Sequence, residues 1–101
     1  MNMERQYQID TAQNSDFLKK ARNELLSFGH KFPSSKGSSY YLGDDGTPWK
    51  TRNRETWITS RMAHVYCLGS FLSHPGSKEL ASAAIKGLCG ELHDDKNGGW
   101  Y

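Results

Sequence analysis

Long apolar runs are missing from this 101-residue chain. A helix needs about 20 consecutive apolar residues to span a bilayer, so no transmembrane segment is expected. Charge of one sign is also scarce. Lys and Arg number 13 against 11 Asp and Glu, a net charge of +2, too small an excess to call for a nucleic-acid partner. Cysteine is limited to Cys67 and Cys89, too far apart for a Cys-x-x-Cys motif. Both fall in apolar helical stretches and are read as buried free thiols, as suits a reducing compartment. No Asn-x-Ser/Thr acceptor occurs, and Met1 to Asp10 is polar with no apolar signal core. There is no internal repeat and no low-complexity tract. With 24% charged residues and a mean hydropathy of −0.78, the composition is that of a small cytoplasmic domain, with neither a membrane nor a nucleic acid as partner.

What is present is helical periodicity. Residues 1–14 carry no clear pattern and are read as a flexible N-terminal arm, leaving 15–101 as the structured segment. A first helix is expected from Ser15 or Asp16, either of which can cap it. Phe17, Ala21, Leu25 and Phe28 then recur on one face. Gly29 and Pro33 end the helix. The connection from His30 to Asn53 is long for a compact domain. Inside it, Tyr40-Tyr41-Leu42, the Asp-Gly turn of Gly43–Gly46 and Thr47–Lys50 predict a small hairpin, with Pro48 on an edge. Trp49–Arg54 is locally basic and reads as a solvated loop. A second helix runs from Arg54 or Glu55 to Leu72, where Ser73-His74-Pro75-Gly76 stops it. A third begins near Ser77, with Leu80, Ala84, Ile85, Leu88 and Leu92 as its dry stripe. The fold class is therefore all-α, about three helices with a small β-hairpin in the first long loop.

The second helix carries the chemistry. Thr56–Tyr66 is apolar on almost every face yet holds Arg61 in its middle. Such a helix has to be buried nearly all round. A guanidinium within it has to meet a carboxylate or a polar ligand. Asp94, Asp95 and Glu55 are the candidate carboxylates. A chain this short does not supply that surround, so the sequence reads as part of a larger enzyme. At 100° per residue, Trp57, Arg61, His64 and Leu68 lie within about 60° of one another. Met62 and Tyr66 occupy the opposite side. An aromatic plate, a rigid five-donor fork and an imidazole pointing one way suit a sugar or another polyol. Each of the three also has an ordinary reading, as core aromatic, ion-paired arginine or core histidine. Their shared stripe favours the site.

Two segments then coincide. Trp57-Ile58-Thr59-Ser60-Arg61-Met62, continued by His64-Val65-Tyr66, and Gly98-Gly99-Trp100-Tyr101 one helix later together resemble the N-acylglucosamine 2-epimerase superfamily. The resemblance is to its mannose and sulfoquinovose isomerase branch, and it covers most of residues 15–101. It implies an (α/α)6 barrel whose inner helices line a sugar pocket, with this chain as an N-terminal, incomplete segment. The second helix would be an inner helix, and the first and third would be outer ones.

Members of that family isomerise aldoses to ketoses, or epimerise at C2, through an enediol-like intermediate. Histidines serve as acid and base, which suits a pKa near neutrality. By the resemblance Arg61 binds sugar oxygens at the pocket floor. Trp57, Trp100 and Tyr101 form its wall, and His64 supports it. The catalytic histidines would lie on later inner helices, so no catalytic residue is assigned here and the chain alone is expected to be inactive. His30, His74 and His93 match no motif. No cofactor and no metal is implied, and His93-Asp94-Asp95 reads as a helix-exit turn. The expected partners are a monosaccharide and, to cover the inner helix, the rest of the barrel or a second copy. The competing reading is a non-catalytic carbohydrate- or protein-binding fragment.

Overall fold

The computed structural model describes residues 8–101; the earlier part of the expected arm lies outside the described residues. Three α-helices and one two-stranded hairpin follow in order among them. They are α1 (Ala12–Phe28), β1 (Tyr41–Leu42), β2 (Pro48–Trp49), α2 (Thr56–Phe71) and α3 (Ser77–Cys89), with a 3-10 turn at Gly29–Lys31. No described helix is long and apolar enough to cross a membrane.

Helix α1 opens earlier than its pattern suggests. Thr11 has extended backbone and its hydroxyl accepts from the Asn14 amide at 3.2 Å, so Thr11 is the cap rather than Ser15 or Asp16. Residues 12–14, assigned above to the arm, form its first turn. The expected dry stripe is also corrected. Phe17, Leu25 and Phe28 are exposed, Leu25 at 71%, and the buried residue of α1 is Leu26. Leu26 faces Tyr66 of α2, whose hydroxyl donates to the Leu26 carbonyl at 2.6 Å. That carbonyl belongs to the last turn, where helices leave acceptors unmatched. Leu26 also approaches Gly69 of α2, and Phe28 lies against Gly46 of the hairpin turn. The radius of gyration, 16.8 Å, exceeds the roughly 13 Å of a compact chain this long.

The densest contact is between α2 and α3, and small side chains make it. Thr59, Ala63, Tyr66 and Gly69 are the buried residues of α2; Ser77, Ala81, Ala84 and Gly87 are those of α3. Spacings of three and four put each set on one stripe, and the small residues let the backbones approach. Leu80 and Leu88 pack beside this seam, as the third-helix pattern predicts, and Leu92 is buried below it. Ile85, assigned to the same stripe, is instead 49% exposed. Cys67 and Cys89 are free but exposed, against the expectation of burial. Cys67 follows Tyr66 by one residue, and the 100° step turns it out of the seam.

Much of the long connection is ordered. Phe32 is fully buried and stacks on Tyr66, with ring centroids 5.5 Å apart. Pro33 pairs with Ser39 as an isolated bridge, and the Tyr40 amide donates to the Phe32 carbonyl at 2.8 Å. This small turn sits directly on α3. Gly37 has φ +98°, and a Cβ there would strike the Ala83 carbonyl; a Cβ on Gly87 would strike the Ser38 amide. The hairpin then pairs Tyr41 with Trp49 and Leu42 with Pro48 in antiparallel register. Its turn is closed by the Thr47 amide donating to Asp45 at 2.9 Å. Chiefly that amide, with the turn hydrogen bonds around it, holds the Asp45 carboxyl below its ordinary pKa.

Candidate functional site

The start of α2 meets the hairpin and the loop before it. Glu55 precedes the helix in extended conformation and makes no side-chain cap. Its Oε2 instead accepts from Tyr41 Oη at 3.1 Å and from Trp57 Nε1. The Tyr41 and Trp57 rings meet edge to face at 6.0 Å. Each carries a guanidinium: Arg52 lies 4.0 Å from the Tyr41 centroid and Arg61 lies 5.2 Å from the Trp57 centroid. Two cation–π pairs are thus tied together by one carboxylate oxygen. Arg61 pairs with neither Asp94, Asp95 nor Glu55; no carboxylate lies within ion-pair distance of it among the described residues.

Beside this cluster is a cleft of about 490 Å³ whose lining includes Lys50, Arg52, Arg54, Glu55, Glu91 and Tyr101. Its floor is a polar network. Arg54 Nε donates to Ser38 Oγ at 2.8 Å and lies 3.7 Å from Glu91 Oε1. Ser34 donates to the same Glu91 oxygen at 3.1 Å, and Ser38 also donates to it. Ser38 is fully buried, so this network fixes the loop to the end of α3. The basic segment, read from sequence as a solvated loop, therefore forms one wall of the cleft. Its signal was the local cluster of Lys50, Arg52 and Arg54 beside Trp49; a turn at residues 50–52, closed by the Arg52 amide on the Trp49 carbonyl, lies within it. The roles of Tyr41, Glu55, Ser38 and Glu91 had no comparable signal, because they depend on contacts across 14 to 53 positions of sequence.

The closing loop brings Tyr101 to the cleft. After Leu92 the chain turns back on itself. The Asp94 amide donates to the Gly99 carbonyl at 2.8 Å and the Tyr101 amide to the Leu92 carbonyl at 2.9 Å. Gly98 and Gly99 both take positive φ, 79° and 82°, which the reversal requires. The Asp94 carboxylate accepts from the amides of Asn97 and Lys96. These bonds, Asn97's foremost, hold its pKa below the ordinary value. Asp94 is thus committed to the turn.

Trp100 is placed differently from Tyr101. Its Nε1 donates to the Leu88 carbonyl at 2.6 Å and its ring meets His93 edge-on at 5.0 Å, so it braces α3 rather than lining the cleft. His64 and Leu68 are exposed farther along α2, on the Trp57–Arg61 side. The structure therefore brings Trp57 and Arg61 together, sets Tyr101 across the adjoining cleft and leaves Trp100 outside it.

The other histidines are engaged elsewhere. His30 Nε2 and His74 Nε2 are 2.9 Å apart, joining the end of α1 to the α2–α3 turn. Desolvation, then the charge of His74, lowers the His30 pKa. His93 Nδ1 lies 2.7 Å from Asp95.

The model of the N-acylglucosamine 2-epimerase family matches residues 37–101, from the buried turn on α3 through the Gly-Gly-Trp-Tyr segment. The chain belongs to this family. The family fold is an (α/α)6 barrel, and the three helices and hairpin are part of that architecture. Helix α1 lies before the matched span. The epimerase family also accounts for the unusual helix α2. One stripe is closed by α3, while Trp57, Val65, Leu68 and Phe71 stay exposed, Phe71 at 84%. In a closed ring of helices such residues face neighbours and the central pocket.

Proposed function

We propose that this chain provides the sugar-binding wall of an aldose–ketose isomerase or C2 epimerase acting on mannose-type monosaccharides in the cytoplasm. The observation that carries the reading is the Trp57–Arg61 stack, joined through Glu55 to the cleft that Tyr101 lines. A sugar ring presents C–H faces to an aromatic plate and oxygens to donors. In this reading Arg61 donates to sugar oxygens at the pocket floor. Tyr101 contributes a hydroxyl that donates or accepts. His64 flanks the stack, and Trp100 keeps the Tyr101 loop in place from behind.

Proton transfer at C2 needs an acid–base pair close to both carbons. His30 and His74 pair with each other and His93 with Asp95, which leaves His64 alone near the stack. We therefore expect the 101 residues to bind sugar without isomerising it. Further helices of the barrel would cover Leu68 and Phe71. A second copy would meet the same need by self-association. The test is mannose titration of the chain followed by two-dimensional NMR. Shifts centred on Trp57, Arg61 and Tyr101, with no fructose formed, support the reading. Fructose production by the purified chain refutes the division of labour, and no response to mannose, glucose or N-acetylglucosamine refutes the site.

A further inference from the structure

We infer that Glu55 is the hydroxyl-accepting ligand of this site, one oxygen held by the protein and the other offered to the sugar. The inference rests on the sugar-binding reading above. Its starting point is an imbalance of hydrogen-bonding types. Arg61, Arg52 and Lys50 are donors only, whereas a sugar hydroxyl must also donate. Buried against donors alone, its proton would lose the acceptor that water provides, which weakens binding. The wall therefore needs a fixed acceptor. Glu91 also lines the cleft, but its charge is paired with Arg54 and its Oε1 holds Ser34 and Ser38; Glu55 is the cleft carboxylate bonded to Trp57 and without an ion pair among the described residues.

Glu55 has the required geometry. It lines the cleft. Its Oε2 takes Tyr41 Oη and Trp57 Nε1, donors from β1 and α2, which fixes the plane of the carboxylate. Its Oε1 has no protein donor among the described residues. Its backbone is equally fixed: its carbonyl accepts from the Thr59 hydroxyl at 2.8 Å and the Thr59 amide at 3.2 Å. No cation forms an ion pair with it among the described residues, so no Lys or Arg competes for the open oxygen. The usual N-cap side chains are the short Ser, Thr, Asp and Asn, and the longer Glu55 makes no cap. Here it is turned toward two aromatic donors, and the stacking face of Trp57 and the acceptor are set as one unit.

The test uses mannose with the wild-type chain, Glu55→Gln and Glu55→Ala, read by NMR. The amide of the Gln variant can turn its oxygen to Trp57 and Tyr41, which leaves an NH2 donor facing the cleft. Glu55→Gln is therefore expected to keep the hydrogen-bonded Trp57 indole N–H resonance, assigned with Trp57→Phe, and to weaken mannose binding about tenfold. Glu55→Ala is expected to lose both. Unchanged affinity in Glu55→Gln, with wild type binding, overturns the inference and leaves the sugar reading intact. Parallel loss of the indole bond and of binding in both variants makes Glu55 only a brace for Trp57 and also overturns it. Absence of mannose binding by wild type removes the sugar reading and this inference together.

Discussion

Replacing Tyr66 by Phe isolates one hydrogen bond that ties α1 to α2. Tyr66 is 1% exposed, and its hydroxyl reaches the Leu26 carbonyl at 2.6 Å. Phe keeps the ring, its stack on Phe32 and its edge contact with His30, so no cavity opens. What is lost is one buried bond to a last-turn carbonyl. The net worth of such a bond is about 1 kcal/mol, and a stranded buried carbonyl adds to the loss, giving about 2 kcal/mol in all. Tyr66→Ala also empties ring volume and should cost roughly 3–5 kcal/mol. Urea unfolding at neutral pH measures both, read as midpoint shifts at constant slope. A Phe variant within 0.5 kcal/mol of wild type, roughly the spread seen for neutral surface changes, would refute the argument. A second readout follows from burial, which raises the Tyr66 pKa from 10.0 to about 12. The unfolded chain releases this proton near pH 10 while the folded chain keeps it. Stability therefore falls as pH rises from 10 toward 12, and the fall should be shallower in Tyr66→Phe.

Gly87→Ala should destabilise the chain by about 1–3 kcal/mol, because the new methyl meets the Ser38 backbone; thermal melting checks this. At the acid end, His30 is held below its ordinary pKa of 6.5 in the fold, so the unfolded chain binds more protons. Stability should decline as pH drops below 6.5, and His30→Gln should flatten that decline in urea titrations run from pH 7.5 to 5.0. A further loss below pH 3.8 is expected as Asp45 and Asp94, whose folded pKa values are depressed, become protonated. Arg61 is exposed and stacks on Trp57, so Arg61→Ala should abolish the mannose-dependent shifts while leaving the melting temperature within about 2 °C, a surface-sized effect.

The three helices, the hairpin and the shared stripe of Trp57, Arg61, His64 and Leu68 were legible in the sequence. They follow from local rules: periods of 3.6 and 2, breakers at Pro75 and Gly76, and an Asp-Gly turn. The family was legible too, because its two motifs are short and contiguous. Which stripe of each helix is buried was decided only in three dimensions. On α1 the apolar periodicity chose Phe17, Leu25 and Phe28, yet Leu26 is buried because Tyr66 reaches that side. On α2 and α3 the seam follows small residues such as Ala63, Gly69, Ala81 and Gly87. A hydrophobicity pattern ranks these low, but close backbone approach favours them. The thiols turned outward for the same reason.

The site divides along the same line. Sequence placed Trp57 and Arg61 one helical turn apart and so made their stacking readable. Tertiary structure alone brought Tyr41 to that turn, set Tyr101 on the cleft that Glu55 also lines and moved the Trp100 indole onto α3. It also set the Glu55 carboxylate against the aromatic pair. Local spacing fixes the direction of a side chain from its own backbone. The partner it meets depends on where distant segments cross, and that is set by whole-helix contacts such as the α2–α3 seam.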